Sequence, residues 1–567
     1  MLAKALMPLA ERLERRFGWR RLPYYLGLAT LVGLRERLRE RNLYDTGVPV
    51  VSGPEPAVAR EERLADGTFN DRASPGMGSI QAPFGRNAPA LPDRDPLGAP
   101  HPRDVSDALM VRRPFLPAGH LNVLAAAWLQ FEVHDWLSHA KEPSIGDWML
   151  EEDMPLAKAI PVQGSSPPSF LSRETHWWDA SQLYGSRDPY VTDIETGDGE
   201  ILVDDALLIQ VEEEAKSSHA PEASLWVGLA VLQILFAREH NAIVRRLREV
   251  YPHWDAERLY AKARLINSAL MAKIHTVEWT PAIIGHPTTE RAIKATWWGL
   301  LGENVRRRHG RIGAKEILSG IPGSRTDHHG VPYALTEEFV TVYRLHPLLP
   351  DEFRFGSQTF DLRALAIQPG RVSQPRDRIN EVGGVARAMH ALGTAPPGQI
   401  ELFNYPETMR RWERIGNLPP IDLAAADIVR ARETGVPRYT AFRQLLRMPV
   451  PKTFEELAGG NAKTAAAIRE VYGGDIDAVD AVVGLYAEPK PRGFAFSETA
   501  FRIFLLMASR RLQSDRFFTE AYTPQTSTPV GLRWIEETTM RDVIRRHYPG
   551  LTPAENAFKS WPASTAP

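Results

Sequence analysis

No cysteine occurs anywhere in the 567 residues, and that absence narrows the folds and chemistries open to the chain more than any other feature. A protein of this size without disulfides must be held by its hydrophobic core. Cysteine-ligated zinc, iron–sulfur clusters, thiolate-bound haem and a cysteine nucleophile are all excluded. Metal chemistry has to use histidine and oxygen ligands. With 43% apolar and 24% charged residues, the composition is that of a globular protein. The formal charge of −2 gives no overall electrostatic reason to bind nucleic acid, so any charged ligand must be read by a local patch.

Helical periodicity runs through residues 121–140, 226–247, 259–280, 336–346 and 498–512, while strand-like alternation is scarce. Seven prolines between positions 75 and 102, with Gly76, Gly78, Gly85 and Gly98 among them, predict a long coil wrapped over a core. No repeat of fixed period is present. These features predict one large, mainly α-helical unit with long loops and little β, over residues 46–551. Residues 1–45 form an arginine-rich amphipathic helical segment ahead of it, and residues 552–567 a frayed polar tail. The apolar stretch at 22–34 is shorter than the roughly 20 residues of a bilayer span, and no signal-peptide pattern is present, so a cytoplasmic location is expected. The N-terminal helix is read either as packed on its own domain or as resting on a membrane surface.

Three clusters carry candidate chemistry. Gln130 and His134 are four residues apart and share a helix face with Val123, Ala127, Phe131 and Leu137. Taken alone, such a histidine is more often a satisfied core residue than a ligand. His139 lies about 140° further round, so the zinc-protease spacing is absent. In the stretch Thr175-His-Trp177-Trp-Asp179-Ala-Ser181, oxygen-bearing positions fall at every second residue, a pattern suited to Ca²⁺ though also common in turns. Tyr343 and His346, three apart in Tyr343-Arg-Leu-His346-Pro347, would lie one helical turn from each other, with Pro347 biasing His346 away from helical geometry.

Together these segments resemble the animal-type haem peroxidase and cyclooxygenase superfamily. Gln130-Phe-Glu-Val-His134-Asp135 is similar to its distal-histidine motif, Thr175-x-Trp177-x-Asp179-x-Ser181 to its calcium loop, and Phe236-Ala-Arg-Glu-His-Asn241 to its haem-side helix. Tyr343-Arg-Leu-His346-Pro-Leu-Leu-Pro-Asp351 is similar to the segment holding the radical tyrosine and proximal histidine. The branch it most resembles is the fatty acid α-dioxygenases, from Arg21-Leu-Pro-Tyr-Tyr-Leu-Gly-Leu28 through His275-Thr-Val-Glu-Trp-Thr280 to Ser509-Arg-Arg-Leu-Gln-Ser-Asp-Arg-Phe-Phe518. Where peroxidases carry an Arg-x-x-Glu element, this chain reads Glu222-Ala-Ser-Leu225. The cysteine-rich module of cyclooxygenases is absent as well.

The resemblance implies a single haem peroxidase-like helical domain binding haem b, with His346 as axial ligand and His134 and Gln130 on the open face. It implies Ca²⁺ held by Asp135, Thr175, Trp177, Asp179 and Ser181. It also implies a Tyr343 radical, primed by a hydroperoxide, that takes hydrogen from the α-carbon of a fatty acid before O₂ adds. The product would be a 2-hydroperoxy acid, which decarboxylates to an aldehyde one carbon shorter. His275, Thr280 and Arg511 are expected to hold the substrate carboxylate, with Arg510 as the alternative. The runners-up are a peroxidase acting on small reductants and a non-catalytic lipid-binding protein. A monomer is expected.

Overall fold

The computed structural model describes residues 2–93, 95–141, 147–149, 155–186, 196–201, 226–313, 315–366, 374–413 and 419–562, with the side chains of residues 2–6, 15, 134, 135, 147–149, 155 and 374–376 outside that description. Nine helices position the site: α1 (Leu2–Phe17), α2 (Tyr24–Arg41), α3 (Val123–Trp136), α4 (Val227–Val250), α5 (Ala256–Ile274), α6 (Pro287–Trp298), α7 (Glu337–Val342), α8 (Leu423–Glu433) and α9 (Glu498–Ser514). Among the described residues, β structure is limited to two antiparallel two-stranded sheets. One pairs β1 (Asp147–Met149) with β2 (Pro155–Ala157); the other pairs β3 (Glu352–Phe355) with β4 (Gln358–Asp361), with Glu352 opposite Asp361. The chain is mainly α, as its periodicity predicts.

α3 and the first half of α4, Val227 to Ala237, are apolar nearly all round, which places them at the centre of the core. Among the described residues α4 alone is long and apolar enough to cross a membrane, but 83% of its apolar window is buried by the protein. Side-chain caps fix the starts of the helices that carry the site. Thr336 accepts from Phe339 N at the head of α7, Asp422 from Ala424 N and Ala425 N at α8, and Ser497 from Ala500 N at α9.

Three helix ends differ from the periodicity. α3 stops at Trp136, and His139 instead pairs with Ser172 in a short bridge. α5 widens at its end into a π turn, His275–Trp279, followed by the short helix Thr280–Ile283. Pro281 has no N–H to offer the Val277 carbonyl, so regular i to i−4 bonding cannot pass through this point. α7 ends at Val342, so Tyr343 and His346 do not share one continuous helix. Tyr343 sits at φ −91°, ψ 2°, and His346 opens a separate 3₁₀ turn, His346–Leu348. Pro347 cannot donate to the Tyr343 carbonyl, which takes the N–H of Leu345 instead, at 2.9 Å.

The proline-rich coil is pinned at close approaches. Gly78, at φ +65°, has the Trp177 ring 2.7 Å from where a Cβ would sit, which excludes any other residue. At the N-terminus, Trp19 is fully buried against His286, Phe494 and Phe501, fastening the α1–α2 pair to the helical body. The expected frayed tail is corrected for residues 552–562. Ala557, Phe558 and Trp561 are buried, and the Asn122 amide donates to the Ala557 and Lys559 carbonyls. Apolar burial of three such side chains outweighs the local propensity of a proline-containing polar stretch to fray.

Candidate functional site

Tyr343 stands on a wall shared by two cavities. The larger, about 310 Å³, is lined by Gln130 and Val133 from α3, by Arg344 and His346, and by Asp427 and Arg430 from α8. The narrower, about 90 Å³, is lined on its buried side by Trp178, His275, Thr280, Phe339 and Arg511, and on its outer side by residues of α2 and α6. The Tyr343 ring packs against Phe339 at 4.4 Å. Burial pushes its phenol well above the ordinary tyrosine range against the opposing pull of Arg511, so the hydroxyl stays protonated.

In the larger cavity His346 Nδ1 lies 2.9 Å from Asp427 Oδ2. Asp427 also accepts from the Arg344 guanidinium and, at 3.2 Å, from the Tyr405 hydroxyl. Burial works to raise the Asp427 carboxyl, but His346 and Arg344 outweigh it and hold the group below the usual carboxylate range. With Nδ1 engaged, Nε2 is the histidine nitrogen left for a metal. Across the cavity, Gln130 Oε1 accepts from Trp226 Nε1 at 2.7 Å, which fixes the orientation of the amide. His134 follows one turn later on α3; its side chain lies outside the described residues, as does that of Asp135. His139, which the spacing set apart from a zinc site, is buried with Nε2 2.9 Å from Glu337.

In the narrow cavity the structure separates the two neighbouring arginines. Arg510 turns away and donates to the carbonyls of Val331 and Pro332 at 2.8 and 2.9 Å. The Arg511 guanidinium carbon lies 3.6 Å from the centre of the Trp136 ring and 4.5 Å from that of Trp178, with Nε on the Tyr333 hydroxyl and Nη2 buried without a partner. A guanidinium between aromatic faces with one unused donor pair suits an incoming carboxylate. His275 accepts from Trp128 Nε1 at 3.2 Å through Nδ1, and burial, then Arg511, hold its pKa well below the usual range. It is therefore a neutral imidazole that presents Nε2–H. Thr280 lines the same wall, its hydroxyl donating to the His275 carbonyl at 2.8 Å.

Thr175, Trp177, Asp179 and Ser181 are all buried in one tight loop, turned by Ala180 at φ 60°. Thr175 Oγ1 donates to Asp179 Oδ2 at 2.6 Å, Ser181 N approaches Asp179 Oδ1 at 3.2 Å, and Ser181 Oγ is buried with no partner. A buried carboxylate beside an orphaned hydroxyl fits an oxygen-ligated cation. Among the described residues no three His, Asp or Glu side chains gather around a common point; this loop offers one carboxylate, together with hydroxyl and carbonyl oxygens. Trp178, in the same loop, faces the narrow cavity and packs edge-on against Trp136.

Sequence reasoning passed over Asp427, Trp226 and the Trp136–Trp178 pair. The first two lie 81 and 96 residues from the groups they orient, with no local pattern to mark them. Trp178 stood inside the quoted calcium-loop motif and Trp136 directly after Asp135, and that position was the one available signal. Glu222-Ala-Ser-Leu225 lies outside the described residues.

Residues 62–558 match the animal haem peroxidase family. Alpha-dioxygenase 1 of Capsicum annuum is 36% identical over an alignment covering 100% of this chain and 93% of that protein, and alpha-dioxygenase PIOX of Nicotiana tabacum is 35% identical over the same shares. The chain belongs to the α-dioxygenase family of animal haem peroxidases. Two crystal structures from this family superpose on it with a TM-score of 0.89 each. One is the Arabidopsis thaliana fatty acid α-dioxygenase, 32% identical over 100% of this chain and 93% of that one. The other is a tyrosine-to-phenylalanine variant of the Oryza sativa enzyme with palmitic acid, 31% identical over 100% and 98%. Membership in this α-dioxygenase family makes the chain a haem protein, and the larger cavity, with His346 backed by Asp427, fits that group.

Proposed function

We propose that the chain is a haem-dependent fatty acid α-dioxygenase in which Tyr343 passes an oxidising equivalent from one cavity to the other. The observation that carries this reading is the position of Tyr343 on the common wall, with His346 lining one cavity and Arg511 the other. A b-type haem would be held by His346 through Nε2, and Gln130 and His134, one turn apart on α3, would assist in binding the hydroperoxide. Haem bound there, primed by a hydroperoxide, supplies the one-electron oxidation that leaves Tyr343 as a phenoxyl radical.

The remaining steps belong to this chain's residues. Arg511 pairs with the carboxylate of the fatty acid through its unused Nη2, assisted by the His275 Nε2–H and by the Thr280 hydroxyl once it turns from the His275 carbonyl to the substrate, and this fixes C2 against Tyr343. The Tyr343 oxygen takes one hydrogen atom from C2, breaking C–H and forming O–H. O₂ adds to the carbon radical, and the resulting peroxyl group takes the hydrogen atom back from Tyr343, which restores the radical. The product is a 2-hydroperoxy fatty acid; loss of CO₂ and water leaves the aldehyde one carbon shorter. The apolar walls of the narrow cavity hold the acyl chain, each buried methylene contributing about 0.8 kcal/mol.

The reading includes a structural Ca²⁺ at Asp179, Ser181 and Thr175, with the Trp177 carbonyl and Asp135 completing the set. The orphaned Ser181 Oγ supports it. Such an ion would tie the end of α3 to the loop that supplies Trp178. The function is tested by O₂ uptake of the haem-loaded protein with palmitate and mass spectrometry of the products. A 2-hydroperoxy acid or a C₁₅ aldehyde is expected; peroxide turnover with small reductants and no uptake with palmitate would overturn it.

A further inference from the structure

Among the described residues thirteen large apolar side chains are exposed, and eight of them fall on just two segments. Five lie between Leu9 and Leu26, led by Tyr25 at 82% exposure; the others are Leu301, Ile312 and Leu318. Both segments border the outer side of the narrow cavity. Leu28, less than one turn beyond Leu26 on α2, lines it, and so do Leu300 and Ile317, the immediate neighbours of Leu301 and Leu318. Backbone bonds from Leu300 N to the Ile317 carbonyl and from Leu301 N to the Leu318 carbonyl set the two exposed leucines side by side. The Arg35–Glu316 ion pair, 2.9 Å, joins α2 to this rim.

The same two segments are strongly basic in a chain whose net charge is −2. Residues 8–26 carry five arginines and two glutamates, and residues 294–318 carry six basic and two acidic side chains. The acids of the first segment are occupied, Glu14 by Arg502 and Glu11 by Arg37. Arg12, Arg16, Arg21, Lys294, Arg308 and Lys315 are exposed. Exposed aromatic and aliphatic side chains set among cations, around the opening of an apolar channel, match the interface of an anionic lipid layer.

We propose that this rim docks on an anionic lipid surface, so that a fatty acid passes from the lipid into the channel without crossing water. The proposal rests on reading the narrow cavity as the acyl channel, and it extends the contact from the N-terminal helix to the opposite rim of the mouth. A second copy of the chain and a protein partner are the competing occupants.

The test is co-sedimentation of the full-length, haem-loaded protein with phosphatidylcholine vesicles and with vesicles containing about one-third phosphatidylglycerol. Binding to the anionic vesicles at least about fivefold above the neutral ones is expected, falling in about 0.5 M NaCl. A Tyr25→Ser/Leu318→Ser variant should lose most of that binding while keeping the wild-type haem spectrum, melting temperature and O₂ uptake with a short, water-soluble fatty acid. Equal recovery with and without lipid, an unchanged variant, or a shift of the variant from dimer to monomer in solution would each overturn the proposal. Sedimentation is read without turnover, so a failure of the dioxygenase reading registers separately, as absent O₂ uptake.

Discussion

His346 Nδ1 and Asp427 Oδ2 lie 2.9 Å apart, and Asp427 is held in turn by Arg344 and Tyr405. The carboxylate is thereby fixed as an acceptor and the imidazole as an Nδ1–H donor. A histidine polarised this way is a stronger donor to iron through Nε2. Asp427→Asn weakens that polarisation. The haem reduction potential should rise, and haem affinity should fall by roughly 10- to 100-fold, as read by spectroelectrochemistry and haem titration.

Arg511 and Arg510 are neighbours with opposite duties. Arg511→Ala removes the free donor in the channel and should raise KM for the fatty acid by roughly 10- to 100-fold, the scale of a charge-assisted pair. Arg510→Ala leaves the Val331 and Pro332 carbonyls without their donor. It should lower stability by about 1–3 kcal/mol with little change in KM. Steady-state kinetics beside thermal melts separates the two; a KM effect from Arg510→Ala would reverse the assignment.

Glu132, fully buried on α3 with Gln182 Nε2 at 3.0 Å, has its carboxyl pushed up to about 8, chiefly by burial against the pull of Arg511 and Gln182. Below its ordinary pKa near 4.5 the folded and unfolded chains both carry the proton. Between there and about 8 only the folded chain keeps it, so stability falls by about 1.4 kcal/mol per pH unit as pH rises. Glu132→Gln removes that slope. Denaturant titrations at two pH values inside the window should show the variant gaining on the wild type as pH increases.

If the loop of Thr175, Asp179 and Ser181 holds Ca²⁺, chelation should lower the melting temperature, and Ca²⁺ at a hundredfold excess over Kd should restore about 2.7 kcal/mol. Asp179→Asn should abolish the response, as read by differential scanning calorimetry with and without chelator.

Much of the site was legible because short-range chemistry marks it. Thr336, ahead of Glu337 and Glu338, announces a helix start, Pro347 announces the break between Tyr343 and His346, and the motif spacings place Gln130, Thr175 and Asp179. Helical spacing alone overran at Pro347, where a missing N–H ends the ladder despite favourable periodicity, and it did not show the π turn that precedes Pro281. The Arg510–Arg511 choice was open in sequence because adjacent helical residues differ by only 100° in direction, and tertiary packing decides which one faces a cavity. Asp427 and Trp226 were not legible, since a long-range hydrogen bond leaves no local pattern. The C-terminal stretch misled for a related reason: composition records polarity but not the pockets on α3 and its neighbours that take Phe558 and Trp561.

The central claim is that Tyr343 carries the oxidation between the two cavities, and Tyr343→Phe tests it most directly. The variant should take up haem with an unchanged spectrum and still bind palmitate, yet lose O₂ uptake and the tyrosyl radical signal in electron paramagnetic resonance after peroxide addition. Retained formation of 2-hydroperoxypalmitate by the variant would contradict the account.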